Sequence, residues 1–426
     1  MLKRILFCLS LCLLFQCKET PKQTAILAEV SPKDVGLSET QLANIDTLFN
    51  EYIKKDWMPG GTVLVARKGK VAYFKTFGKR DFKEPYQKDD IFRLASMTKA
   101  VTTVAVLQQW EKGKFQLDDP ISMYLPEFKT QNVLDTFNEK DSTYTTIPVK
   151  SPITIRQLLT HTSGIYYGDF SFGKLKAIYA KADLLESGLS HNKYTNKQFI
   201  EILGQQPLAF QPGTQWMYGL NMEVLGYLVE TLSGLTLEDY FNQNIFEPLD
   251  MEDTFFYVPN EKEDRLVPVY TEENDTIIMN PRQDYWYPKG ENRFHFAGGG
   301  GLSGITMDYA RFCQALLNGG KLNGKRILGR KTIELMTSNQ MLKIHRADNT
   351  PDEGVAQTLG FNVVTQGGPK KDAQSTGSYS WGGYFNTQFY IDPEEEIVFV
   401  GMTQIHPTWR WEFWEKMKAI VYSSVE

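Results

Sequence analysis

A chain of 426 residues is long enough for a large two-part globular fold, and 42% hydrophobic with 23% charged residues sets it apart from disordered sequences. The net charge of −5, with no basic block, gives no footing for a nucleic-acid partner. The 21 Tyr and 26 Phe suit a large core or an aromatic-lined cleft, and composition does not choose between them.

In chain order, Lys3 and Arg4 precede a short apolar run, Ile5 to Phe15, which is too short to span a bilayer comfortably. It ends in "LLFQC" at Cys17. Residues 1–17 thus have the form of a bacterial lipoprotein signal, with Cys17 lipidated, although Phe15 and Gln16 are larger than usual there. A plain signal peptide or an uncleaved anchor is the alternative. Residues 18–36 are polar, contain Pro21 and Pro32, and read as a tether. The folded unit is expected over 37–426.

Ser38 is placed to cap a first helix, with Leu42, Ile45, Leu48 and Phe49 on one face. "GTVLVARKGKVAYFKTFG" is a hairpin turning at Lys68-Gly69-Lys70. The middle is mostly helical: "VTTVAVLQQWEKGK", "TIRQLLTH" starting at Thr154, "MEVLGYLVETLSG" and "TLEDYFNQNIF". Cys313 lies in the helical "DYARFCQALL" and reads as a buried small hydrophobe. A second hairpin turns at Asp392-Pro393, and "TWRWEFWEKMKAIVYSSV" is a final amphipathic helix. The economical arrangement is α/β plus all-α. Both ends, about 37–90 and 300–426, share one sheet, and about 91–299 forms a helical second lobe. A site is expected in the crevice between them.

Serine followed three residues later by lysine occurs at Ser96/Lys99, Ser171/Lys174 and Ser190/Lys193. Only Ser96 heads an apolar helix, carried by Met97, Val101, Val104 and Leu107. On a helix such residues are neighbours, and the helix start offers N–H groups to negative charge. A lysine ammonium accepts no proton, so Lys99 needs burial or a second proton carrier to serve as a base. Tyr218, in a loop before a helix that begins near Asn221, is the candidate carrier, and a packing aromatic beside Trp216 is the alternative. The chain has five His, no His-Glu-x-x-His and no cysteine pair for zinc, so neither a metal nor another cofactor is expected. A Gly-x-Ser-x-Gly elbow is also missing. His161 in "LLTHTSGI" reads as a loop-holding histidine rather than the partner of a serine. Glycines 298 to 301 read as close backbone packing beside the cleft, not as a phosphate loop. Gly382 and Gly383 would let a substrate approach a strand closely. The N–H of Tyr384 could then join the N–H of Ser96 as an oxyanion donor.

At this point the chain resembles the serine hydrolases related to class C β-lactamases, penicillin-binding DD-peptidases and family VIII carboxylesterases. The resemblance runs from "VGLSETQL" to the final helix. It rests on "FRLASMTKAVT", "GKFQLDDPISMYLPEF", "ITIRQLLTHTSGI", "PLAFQPGTQWMYGLNMEVLGYLVE", "GGGGLSGITMDYARFCQALLNGG" and "WGGYFNT". It implies the β-lactamase/DD-peptidase-like fold, an antiparallel sheet flanked by the N- and C-terminal helices. It implies Ser96 as the acylated nucleophile, Lys99 as its partner and Tyr218 as the proton carrier of the family's Tyr-x-Asn motif. The sequence departs from that motif, with Leu220 in the asparagine place and Asn221 one residue later. Trp381-Gly382-Gly383 stands where β-lactamases have Lys-Thr-Gly, which looks like the esterase branch.

The expectation is an envelope serine hydrolase, anchored by lipid and facing the periplasm or cell surface. It would cleave a small ester, amide or peptide, with esters favoured. DD-peptidase, D-aminopeptidase and β-lactamase activities are the alternatives, with a non-catalytic binder of peptidoglycan fragments or β-lactams as a further one. The sequence sets no oligomeric state.

Overall fold

The computed structural model describes residues 27–168, 173–185, 189, 193–281, 288–289, 293–341, 345–346, 354–366 and 373–426. The expected signal and lipidation site at Cys17, and the serines of the other two Ser-x-x-Lys pairs, Ser171 and Ser190, lie outside them. Among the described residues no helix is long and apolar enough to cross a membrane.

The frame is an antiparallel sheet of eight strands. In chain order they are β1 (Gly60–Arg67), β2 (Lys70–Arg80), β3 (Glu84–Pro85), β4 (Val355–Gln357), β5 (Asn362–Val364), β6 (Tyr379–Gly383), β7 (Thr387–Asp392) and β8 (Ile397–Met402). Their spatial order is β4-β5-β6-β7-β8-β1-β2-β3. The two ends of the chain meet where β1 pairs with β8, from Thr62 opposite Met402 to Arg67 opposite Ile397.

Every residue of β1 is buried, because helices cover both faces of the sheet. Alternation then sends neighbouring side chains to different cores. Val63 and Val65 pack with Phe49, Phe399, Phe413, Trp414 and Met417. Phe49 comes from α1 (Asn44–Lys54), Phe399 from β8, and the other three from the final helix Glu412–Ser423. Phe49 stacks on Phe77 with ring centroids 4.3 Å apart. Leu64 and Ala66 join the other core, with Val398, Val400 and the helical body of the molecule. Ser38 caps the first turn through Gln41 N–H, as its position in the sequence suggests.

Four helices complete the part of the fold that carries the site. They are α2 (Thr98–Glu111), α3 (Ile155–Leu159), α4 (Asn221–Ser233) and α5 (Thr306–Leu317). α2 is buried from Thr98 to Gln109, so it reads apolar all round rather than along one stripe. α3 begins with a capping box, in which Thr154 Oγ1 accepts from Gln157 N–H and Gln157 Oε1 accepts from Thr154 N–H. The middle of the chain is not wholly helical. It includes a hairpin, Asn132–Phe137 with Tyr144–Pro148, and a small sheet joining Phe92–Arg93, Ser303–Gly304 and Thr254–Phe255.

Candidate active site

Ser96 sits in a single 3₁₀ turn, Ala95–Met97, that runs directly into α2. Ala95 before it has φ +46°, a left-handed conformation that costs a non-glycine residue energy and clusters at functional sites. Tyr309 O–H donates to the Met97 carbonyl and so ties the turn to α5. The end of β6 also lies beside the turn. A β-carbon added to Gly383 would stand 2.4 Å from the Leu94 carbonyl oxygen, so only glycine permits this approach. That contact brings the Trp381-Gly382-Gly383 strand and Tyr384 alongside the Ser96 turn.

The side chains converge as the sequence pattern suggests. Tyr218 O–H donates to Ser96 Oγ at 2.7 Å. Lys99 Nζ donates to the same oxygen at 3.2 Å, and is itself only 1% exposed. Its other two bonds go to the Tyr167 hydroxyl at 3.1 Å and the Gly299 carbonyl at 2.5 Å. These three partners fix the amine in one place. Lys99 Nζ also lies 4.8 Å from the centroid of the Tyr218 ring.

The glycine run 298–301 packs against α2 and α4, with no phosphate-loop geometry. Thr102 Oγ1 donates to the Gly298 carbonyl at 2.6 Å, and Thr98 Oγ1 accepts from Leu302 N–H at 3.0 Å. With Lys99, one face of α2 therefore sews the run in place. At Gly299 a β-carbon would stand 2.5 Å from Glu223 Oε1, 3.1 Å from the Tyr167 hydroxyl and 3.3 Å from Lys99 Nζ. The missing side chain is the space in which these three groups meet.

Tyr167 and Glu223 were not among the residues the sequence singles out. Tyr167 follows Tyr166 directly, and only Tyr166 turns away to stack on Tyr179 at 4.1 Å. Glu223 lies in the first turn of α4 and is buried, its Oε1 accepting from Gly299 N–H at 2.8 Å. Burial pushes its carboxyl up to about 8, against the opposing pull of Lys99 and the Gly299 and Gly298 N–H groups.

His161 is a buried loop residue at φ +55°. Its Nδ1 meets Asn221 Nδ2 at 2.9 Å, and its ring lies 4.9 Å from Tyr218 and 6.4 Å from Trp381. Burial, and then the charge of Lys99, lower it to about 3, so the ring is neutral at ordinary pH. It supports Tyr218 from behind and makes no bond to Ser96. Asn221 is fully buried, its other amide atom accepting from Ser163 Oγ at 2.5 Å. The structure therefore does not bring Asn221 to the serine. With both ends engaged, its amide braces His161 instead of facing a bound molecule.

Trp381 is half-buried, with its ring 5.8 Å from Tyr218, and so walls the site. Tyr384 lies beside His406, ring centroids 3.6 Å apart. Cys313 is buried in α5, and burial raises its thiol well above the usual range, as suits an inert packing residue. Among the described residues no group of three or more His, Cys, Asp or Glu is arranged to hold a metal ion.

The fold and this serine–lysine–tyrosine cluster define a class, and comparison agrees. Residues 45–414 match the family model described as Beta-lactamase, so the chain belongs to that family, and it is a serine hydrolase within it. It is 30% identical over 393 residues to the lovastatin esterase of Penicillium rubens, covering 84% of this chain and 92% of that one. It is 26% identical over 382 residues to esterase EstB of Burkholderia gladioli, covering 86% and 91%. Among solved structures, EstCE1, described as a hydrolase with promiscuous acyltransferase activity, superposes with a TM-score of 0.75 at 25% identity. That match covers 90% of this chain and 99% of EstCE1.

Proposed function

We propose that the chain is an esterase of the bacterial cell envelope that works through an acyl-enzyme on Ser96. The observation that carries this reading is the double contact of Ser96 Oγ, with the Tyr218 hydroxyl and the Lys99 amine at once. The Ser96 proton passes to the Lys99–Tyr218 pair as Oγ bonds to the substrate's carbonyl carbon. The carbonyl oxygen takes up negative charge and is received by the N–H groups of Ser96 and Tyr384. The leaving alcohol departs with the proton. Water then repeats the two steps and frees the acid and Ser96.

A preference for esters is supported by Trp381, which occupies the place of the lysine expected in β-lactamases. A charge-assisted hydrogen bond contributes about 1.5–3 kcal/mol. Substrates with a carboxylate beside the scissile bond, such as β-lactams and D-Ala-D-Ala peptides, lose that bond here. The names of two relatives, lovastatin esterase and esterase EstB, agree with the preference. Side-by-side assays with p-nitrophenyl acetate, nitrocefin and a D-Ala-D-Ala peptide are expected to show turnover of the first well above the others. Efficient nitrocefin or peptide turnover would reverse the assignment. An intact, folded protein with no turnover on any of them would favour a binding protein.

The envelope location rests on the signal-like segment that ends at Cys17. The full-length chain expressed in a bacterium is expected to enter the detergent phase in a phase-partition assay, and its Cys17→Ala form the aqueous phase. Equal partition of both forms would remove the lipid anchor from the account.

A further inference from the structure

We propose that Glu223 is a positioning residue for the base: it clamps Gly299, whose carbonyl holds Lys99. The inference rests on Lys99 acting with Ser96, as proposed above. Three observations carry it. Glu223 Oε1 accepts from Gly299 N–H at 2.8 Å, and the carbonyl of the same residue accepts from Lys99 Nζ at 2.5 Å. The carboxyl and the amine both lie within 3.3 Å of the point where a Gly299 side chain would begin. The carboxyl is buried, so its field reaches the amine with little solvent between them.

A protonated Glu223 keeps the clamp, because its carbonyl oxygen still accepts from Gly299 N–H, and places no negative charge beside Lys99. Burial raises Glu223 to about 8, so the protonated form is the resting one near neutrality. The other groups around the amine are the Tyr167 hydroxyl, the Tyr218 ring and His161, the last neutral in its buried site.

The test compares Glu223→Gln and Glu223→Ala with the wild type, using kcat and KM for p-nitrophenyl acetate near neutral pH. Glu223→Gln keeps an oxygen for Gly299, as the protonated carboxyl does. It is therefore expected to rescue the clamp, with kcat within about threefold of wild type. Glu223→Ala loses the clamp, and kcat is expected to fall about tenfold or more with KM little changed. Thermal melting gives a readout independent of activity. A carboxyl raised in the folded state contributes stability below about pH 4.5 that is lost as pH rises to about 8. The melting temperature of Glu223→Gln should therefore gain on wild type across that window. A Glu223→Ala variant as active as wild type, or a Glu223→Gln variant that loses as much as Glu223→Ala, would overturn the inference, as would a melting difference that stays flat with pH. A Ser96→Ala control run alongside separates the two readings. Turnover in that control sinks the Ser96 assignment, whereas a dead control with a fully active Glu223→Ala sinks only this one.

Discussion

Ser96→Ala is expected to lower kcat on p-nitrophenyl acetate by roughly 10⁴-fold or more, with the protein still folded. The change removes one oxygen. That oxygen is the point where Tyr218 at 2.7 Å and Lys99 at 3.2 Å converge, so no neighbouring group inherits its role. The loss should be almost entirely in kcat, since the walls formed by Trp381 and Tyr218 remain. Circular dichroism and melting should match wild type, because Ser96 lies in a short turn whose fixed points are Tyr309 on Met97 and Gly383 on Leu94. Preserved turnover would mean that the converging groups serve some other end.

Tyr218→Phe should have the next largest effect. The ring keeps its place over Lys99 at 4.8 Å and against His161 at 4.9 Å, so packing is retained. Only the hydroxyl that bonds Ser96 disappears. Loss of a positioned proton carrier costs roughly 10²–10⁴-fold in rate. Steady-state kinetics should show that fall in kcat with KM within a few-fold of wild type. A drop confined to KM would make Tyr218 a wall of the site and no more.

Much of this was legible in the sequence because it is written in short-range terms. Both hairpins announce themselves by a turn between β-rich runs, at Lys68-Gly69-Lys70 and at Asp392-Pro393, and both fall where expected. The buried character of α2 is visible in its apolar run, which singles out Ser96 from the other two Ser-x-x-Lys pairs. Tyr218 stands out by its position just ahead of α4.

The rest depends on contacts between segments far apart in the chain. Nothing local separates Tyr167 from Tyr166, because the difference is which ring faces Lys99, 68 positions away. Glu223 sits in the first turn of a helix, where an acidic residue ordinarily reads as solvated and favourable to the dipole. Its apolar neighbours Met222, Val224 and Leu225 were the one hint that this carboxyl is buried. Asn221 misleads for the opposite reason. It stands near the motif position of a site residue, yet its amide is consumed by His161 and Ser163. A three-residue spacing reports which groups share a helix face, and it does not report which of them point inward.

The most direct test of the central claim is peptide-level mass spectrometry after exposure to a fluorophosphonate or a slowly hydrolysed ester. The predicted result is a single adduct on the peptide containing Ser96, absent from Ser96→Ala. An adduct on another residue, or labelling that persists in Ser96→Ala, would contradict the account.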